Sequence, residues 1–208
     1  MDVRLLGQIE AMDGEPLPLA GPTQRRVLAA LALRRNEVVS VGHLVDVIWP
    51  DLDPPDRAEH NVRTYVHRLR SSLNGSDDRI ETVGAGYRLS LAADELDAAR
   101  FEQLAHTATR LAGMGESVET LDAVEEAEEL WQGNPLEEFE HEAWARPDVV
   151  RLREIHVELG TQRAETLIEL GRPADAVAAL EALVRDEPLR ERPRALLMRA
   201  LYESGRQA

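Results

Sequence analysis

The chain has no cysteine and no lysine, only 4% aromatic residues, and no apolar run near the ~20 residues that span a bilayer. The missing cysteine excludes a disulfide framework and any thiolate metal site. The missing apolar run, with charges at Asp2 and Arg4 where a signal peptide would begin, predicts a cytoplasmic protein with no membrane partner. With no lysine, all 24 basic residues are arginine, whose planar guanidinium suits phosphate and guanine edges. What is present is a chain of 208 residues with 43% hydrophobic residues, too apolar for a disordered segment and long enough for two small cores.

The net charge of −15 is unevenly placed. Residues 1–92 hold 11 Arg against 13 acids, and residues 93–208 hold 13 Arg against 26. The split predicts two domains, with the near-neutral first one to be judged by face and not by sum.

In the first part, Val3 to Glu10, the turn at Asp13-Gly14, and alternating Leu17 and Leu19 predict short strands. Gly21-Pro22 breaks the chain, and Thr23 is expected to cap a helix carrying Val27, Leu28, Leu31 and Leu33. A second helix fits Val41 to Ile48 and ends at Trp49-Pro50, with Trp49 assigned to the core. Three prolines between Pro50 and Pro55 make a stiff acidic loop.

The third helix follows Pro55, with Asp56 and Glu59 placed as an acidic capping box. Ala58, Val62, Val66, Leu69 and Leu73 recur at helical spacing and predict one buried stripe. At 100° per residue, Arg57, His60, Thr64, His67 and Ser71 fall within about 40° of the opposite face. Arg63 and Arg70 border one side, Asn61 and Arg68 the other. Short hydrogen-bonding groups flanked by arginine suit a helix in a major groove, its middle on base edges and its borders on phosphates. His60 and His67 stand seven apart, not the three or four of a helical metal pair, so no metal is assigned to them.

Asn74 to Asp78 is expected to form a loop. Ile80–Val83 and Tyr87–Leu91, joined by Gly84-Ala85-Gly86, predict a β-hairpin, and three helices followed by a hairpin make a winged helix. Trp49, the run Val62-Arg63-Thr64-Tyr65-Val66-His67-Arg68-Leu69-Arg70 and the run Thr82-Val83-Gly84-Ala85-Gly86-Tyr87-Arg88-Leu89 resemble the DNA-binding domain of OmpR-type response regulators. No receiver domain precedes them, so phosphorelay control is not implied.

Past Asp94 the pattern is a series of amphipathic helices: 99–112, 118–131, 149–170, 174–186 and 190–204, interrupted at Gln132-Gly133-Asn134-Pro135. Thr166 to Arg172 and Ala200 to Arg206 align 34 residues apart with four of seven positions identical, the period of tetratricopeptide hairpins. The expected fold class is therefore mainly α with a small β component: a winged helix-turn-helix over 1–92, then an all-α tetratricopeptide-like solenoid over 93–208. The excess acid on the second part repels DNA and favours protein contacts.

Asp97 to Leu104, Leu130 to Leu136, and Pro188 through Ala208 resemble the bacterial transcriptional activation domain. That module follows an OmpR-like winged helix in the Streptomyces antibiotic regulatory protein family. The resemblance implies a sequence-specific activator that binds direct repeats in double-stranded promoter DNA as a homodimer, formed in solution or only on DNA, and recruits RNA polymerase through its σ factor. On this sequence it puts His60, Asn61, Thr64 and His67 at base edges, Arg57, Arg63, Arg68 and Arg70 at phosphate or guanine, and Arg88 on the wing at the backbone or minor groove. Asp51 and Asp53, in the loop before the third helix, stand where OmpR-type proteins touch polymerase. Relatives run on through a further helix, so a chain truncated at Ala208 is expected. A repressor and a protein-binding solenoid whose winged helix is an interaction module are the alternatives. No nucleophile elbow, phosphate loop, metal cluster or isolated acid–base pair is present, so neither an enzyme nor a cofactor is expected.

Overall fold

The structure, a computed structural model, describes residues 1–50, 53–73 and 79–205. It opens with an antiparallel meander of β1 (Asp2–Arg4), β2 (Glu10–Asp13) and β3 (Glu15–Pro16). Val3 sits opposite Ala11, and the chain reverses at Gly14, whose φ of 72° few other residues adopt. Helix α1 (Pro22–Leu33) starts one residue before the expected cap. Gly21 takes the capping position and Pro22, whose absent N–H is an orphan there anyway, the first turn, so Thr23 lies inside the helix and caps nothing.

Strand β4 (Val39–Ser40) leads directly into α2 (Val41–Ile48), where the Ser40 hydroxyl accepts the His43 N–H at 3.1 Å. Trp49 closes α2 through its N–H on the Val45 carbonyl; its ring is only half buried, tilted against Tyr65 with centroids 6.4 Å apart. Helix α3 (Ala58–Ser72) follows. The capping box expected at Asp56 and Glu59 does not form: the Pro55 carbonyl takes the Ala58 N–H at 2.8 Å, the turn closes late, and Arg57 becomes the cap residue with no side-chain bond. Strands β5 (Ile80–Val83) and β6 (Gly86–Leu89) complete a three-stranded antiparallel sheet in the order β4-β6-β5.

The core beneath these elements is one contiguous apolar set. Leu28 and Leu31 of α1, Leu44 and Val47 of α2, and Val62, Val66 and Leu69 of α3 are all completely buried, joined by Ile80 and Leu89 of the hairpin. The stripe predicted on α3 is thus the face the core takes up, and the polar face is left to solvent.

By contact the chain divides into two units, Met1–Arg100 with Trp131–Arg151, and Phe101–Leu130 with Leu152–Ala208. The winged-helix unit therefore includes a segment distant in sequence. Backbone N–H groups of Gln132 and Leu136 donate to the carbonyls of Leu6 and Leu5 at 2.9 and 2.7 Å. Arginines of α1 hold the same segment: Arg25 meets Glu138 at 2.6 Å, Arg26 meets Glu142 at 2.5 Å, and Arg34 meets Asp148 at 3.3 Å. Phe139 is buried beneath the Arg26 guanidinium, 4.8 Å from the ring centre, and beside Trp144. Asp97 fastens the meander from another side. Its carboxylate accepts the N–H groups of Leu5, Leu6 and Ala98 at 2.6–2.9 Å, yet burial outweighs these bonds and pushes its pKa up to about 6.

The remaining elements are helices: α4 (Asp97–Met114), α5 (Ser117–Glu129), α6 (Arg146–Glu169), α7 (Pro173–Asp186) and α8 (Glu191–Glu203). In the second unit Leu121, Ala164, Leu167, Ile168, Val177, Leu180, Leu196 and Ala200 form the core. The 34-residue repeat has a structural cause at its glycines. Gly171 and Gly205 both end a helix with φ near 70° (71° and 73°), and each donates its N–H to the carbonyl three residues back. Val118, the first residue of the expected helix 118–131, is 59% exposed, while Leu121, Val124 and Ala127 of the same helix are buried. Arg190 pairs with Glu154 and holds that carboxyl below its usual range, while Arg192 bridges Glu158 and Glu165. Among the described residues no helix is long and apolar enough to cross a membrane.

Candidate nucleic-acid interface

Helix α3 owes its two-sidedness to the alternation of its sequence. Every third or fourth residue is aliphatic and buried, so the residues between must face water. Arg57, His60, Arg63, His67, Arg68 and Ser71 are exposed; Asn61, Thr64 and Arg70 are half buried. The expected set thus lies along one helix, with Glu59 the only acid on it, 4.0 Å from Arg63. Arg57 and Arg68 make no ion pair among the described residues.

The hydroxyls on this face are oriented by the helix itself. Thr64 donates to the His60 carbonyl at 3.2 Å and Ser71 to the His67 carbonyl at 3.1 Å. With their protons turned back to the backbone, their outward lone pairs can only accept, which suits an adenine N6 or cytosine N4 amino group. The imidazoles of His60 and His67 offer one donor and one acceptor each when neutral, and Asn61 offers both. The face therefore carries mixed hydrogen-bonding groups between cations, the pattern a groove-reading helix needs.

The wing is a two-residue hairpin. Val83 pairs with Gly86, and Gly84 takes a φ of 56° at the first turn position. Gly86 is required for another reason: a Cβ there would be driven into the Val39 carbonyl oxygen, because β4 crosses β6 at this point. Arg88 projects from β6 and pairs with Glu81 across the hairpin at 2.6 Å, both partly exposed. Arg70 is engaged with β5 and with the Tyr87 ring of β6. Asp53 is exposed in the loop before α3; Asp51, Asn74 to Asp78 and Arg206 to Ala208 lie outside the described residues.

Three features escaped the sequence reading. Ser40 caps α2, Thr82 bonds Arg70, and Arg25, Arg26 and Arg34 pair with acids more than 110 residues away. Only the first had a local signal, a serine before an apolar run. Among the described residues no three His, Asp or Glu side chains converge as a metal site.

Two family models match the chain: the transcriptional regulatory protein C-terminal model over residues 14–89 and the bacterial transcriptional activator domain over residues 96–208. Regulatory protein AfsR of Streptomyces coelicolor is 40% identical over 205 residues, 98% of this chain and 20% of its own length. Transcriptional regulatory protein EmbR of Mycobacterium tuberculosis is 33% identical, and the chain spans 55% of it. Regulatory protein DnrI of Streptomyces peucetius is 31% identical over 99% of this chain and 79% of its own length. A solved structure of Mycobacterium tuberculosis EmbR in complex with a low-affinity phosphopeptide superposes with a TM-score of 0.92 at 32% identity, covering 99% of this chain and 55% of that one. The chain thus spans about a fifth to a half of the length of the first of these relatives. With a winged helix of the regulatory type followed by a helical activator domain, the chain belongs to the Streptomyces antibiotic regulatory protein family of transcriptional regulators.

Proposed function

We propose that the protein is a sequence-specific transcriptional activator that binds direct repeats beside a promoter as a dimer and recruits RNA polymerase through its σ factor. The observation that carries this reading is the outward face of α3, where His60, Asn61, Thr64 and His67 stand between exposed arginines on a helix anchored by its other face. These four read base edges, Arg57, Arg63 and Arg68 grip phosphate or guanine, and Arg70 and Arg88 belong to the wing side of the interface. Residues 1–92 act as the DNA-binding domain and residues 93–208 as the activation domain. The acidic balance of the latter, 13 Arg against 26 acids, suits a protein partner and opposes DNA. Asp51 and Asp53 are assigned to polymerase by analogy with OmpR-type proteins.

The test is a salt-titrated binding assay. The probe is a duplex that this protein selects from a random-sequence pool, compared with a scrambled duplex of equal length. Tight, salt-sensitive binding at two protomers per site supports the reading, and increased transcript from that duplex with purified polymerase supports activation. Equal, weak binding to both duplexes overturns the specific reading, and a decreased transcript makes the protein a repressor.

A further inference from the structure

We propose that Arg70 is a positioning residue that locks the wing to the recognition helix, and that Thr82 and Tyr87 are its partners in that lock. The proposal deepens the DNA-binding reading above and rests on it for its effect on DNA. The face of the hairpin turned toward α3 carries Ile80 and Leu89, both buried, then the pair Thr82 and Tyr87 farther toward the turn. Arg70 follows the fully buried Leu69 and reaches across the edge of this face. Its Nε donates to the Ile80 carbonyl at 2.8 Å, and one terminal nitrogen donates to the Thr82 hydroxyl at 3.0 Å. The same guanidinium lies 5.6 Å from the centre of the Tyr87 ring.

Three different contacts thus converge on one planar group, and each uses a property lysine lacks: fixed, coplanar donors and a flat cation. They also tie two separated stretches of sequence, the Arg68-Leu69-Arg70 step of the helix and the Thr82 to Arg88 stretch of the wing, into one device. β6 is held on its other side by β4, whereas β5 is an edge strand with a ladder of four pairs, and Arg70 adds a direct tie from that strand to α3. With the brace, the wing tip at Gly84-Ala85 keeps a set angle to the base-reading face. Helix and wing then meet the duplex together without an ordering cost at each encounter.

A positioning role separates from a phosphate contact by salt dependence. Arg70→Met in the full chain should speed hydrogen exchange of the wing amides of Glu81 and Val83 about tenfold in the free protein, while amides of Val66 and Leu69 keep their rates. Thr82→Val, which keeps the β-branched shape and removes only the hydroxyl, should move the same amides in the same direction by less. Arg70→Lys should follow Arg70→Met. On a duplex selected by the parent from a random pool, Arg70→Met should bind about 5–30-fold more weakly with the salt slope unchanged. Backbone protection by the wing should vanish while major-groove protection persists. Unchanged wing exchange in both variants overturns the lock. So does a salt slope smaller by about one with wing protection retained, the signature of a direct phosphate contact. If the parent selects no duplex, the DNA-binding reading falls, and exchange in the free protein decides the lock by itself.

Discussion

Arg68 shows how a single residue's role can be read from what it does not touch. It is exposed on the polar face of α3 and makes no ion pair among the described residues, so under the proposed DNA-binding reading its guanidinium can turn to DNA without breaking a described ion pair. Arg68→Ala should weaken specific binding by about 1–3 kcal/mol and relax preference at one base position if it reads guanine. If it holds a phosphate, a pooled-duplex titration should show uniform loss and a slope lower by roughly one. Asp97 makes the opposite case, a residue defined by its contacts. Its pKa rises from 3.8 to about 6 on folding, so the folded state holds more protons than the unfolded state between those values. The group's contribution to stability is fully present well below pH 3.8 and is lost as pH rises through about 6, a change of ~3 kcal/mol in all. Asp97→Asn destabilises the fold, because its amide N–H₂ faces backbone N–H groups. The stability gap between parent and Asp97→Asn in urea titrations should narrow by about 2 kcal/mol from pH 4 to about pH 6.5.

At the scale of elements, the wing depends on a close backbone crossing. Gly86→Ala places a methyl against the Val39 carbonyl, a backbone atom that cannot swing away, so β4 and β6 must separate. Thermal unfolding should show a loss of about 1–3 kcal/mol, and specific DNA binding should fall further than stability does, since the wing itself is displaced. The elements visible in the sequence were those with local causes. The α3 stripe, α2 from Val41 to Ile48 and the hairpin around Gly84 are written in periodicity and turn chemistry, and the structure has them in place. Helix starts were less legible. Thr23 and Asp56 are good capping residues by type, but Pro22 and the Pro55 carbonyl set the first turns instead. Contacts across long stretches were not legible at all. Arg25-Arg26 looks like any charged pair on a helix until Glu138 and Glu142 are seen opposite it. The exposed α3 face was legible as a set of residue types, while the engagement of Arg70 with Ile80 and Thr82 needed coordinates.

At the scale of the whole molecule, the winged-helix unit and the boundaries of the sequence modules part company. The activator-domain model begins at residue 96, yet residues 131–151 pack with the winged helix. Phe139→Ala should therefore destabilise the DNA-binding unit, by about 3–5 kcal/mol, although it lies far from it in sequence. A chain cut at residue 92 should unfold at lower urea than the winged helix within the full chain, because it leaves the carbonyls of Leu5 and Leu6 and the arginines of α1 without their partners. The discontinuity also has a consequence in time. On the ribosome the three helices and the wing leave the exit tunnel first, but the strip that packs on the meander and α1 is made about fifty residues later, after α5. At ~5–20 residues per second that is a wait of roughly 3–10 s. During it the Leu5 and Leu6 carbonyls and the arginines of α1 stay without these partners, open to chaperones or to the same strip of a neighbouring nascent chain on one messenger RNA.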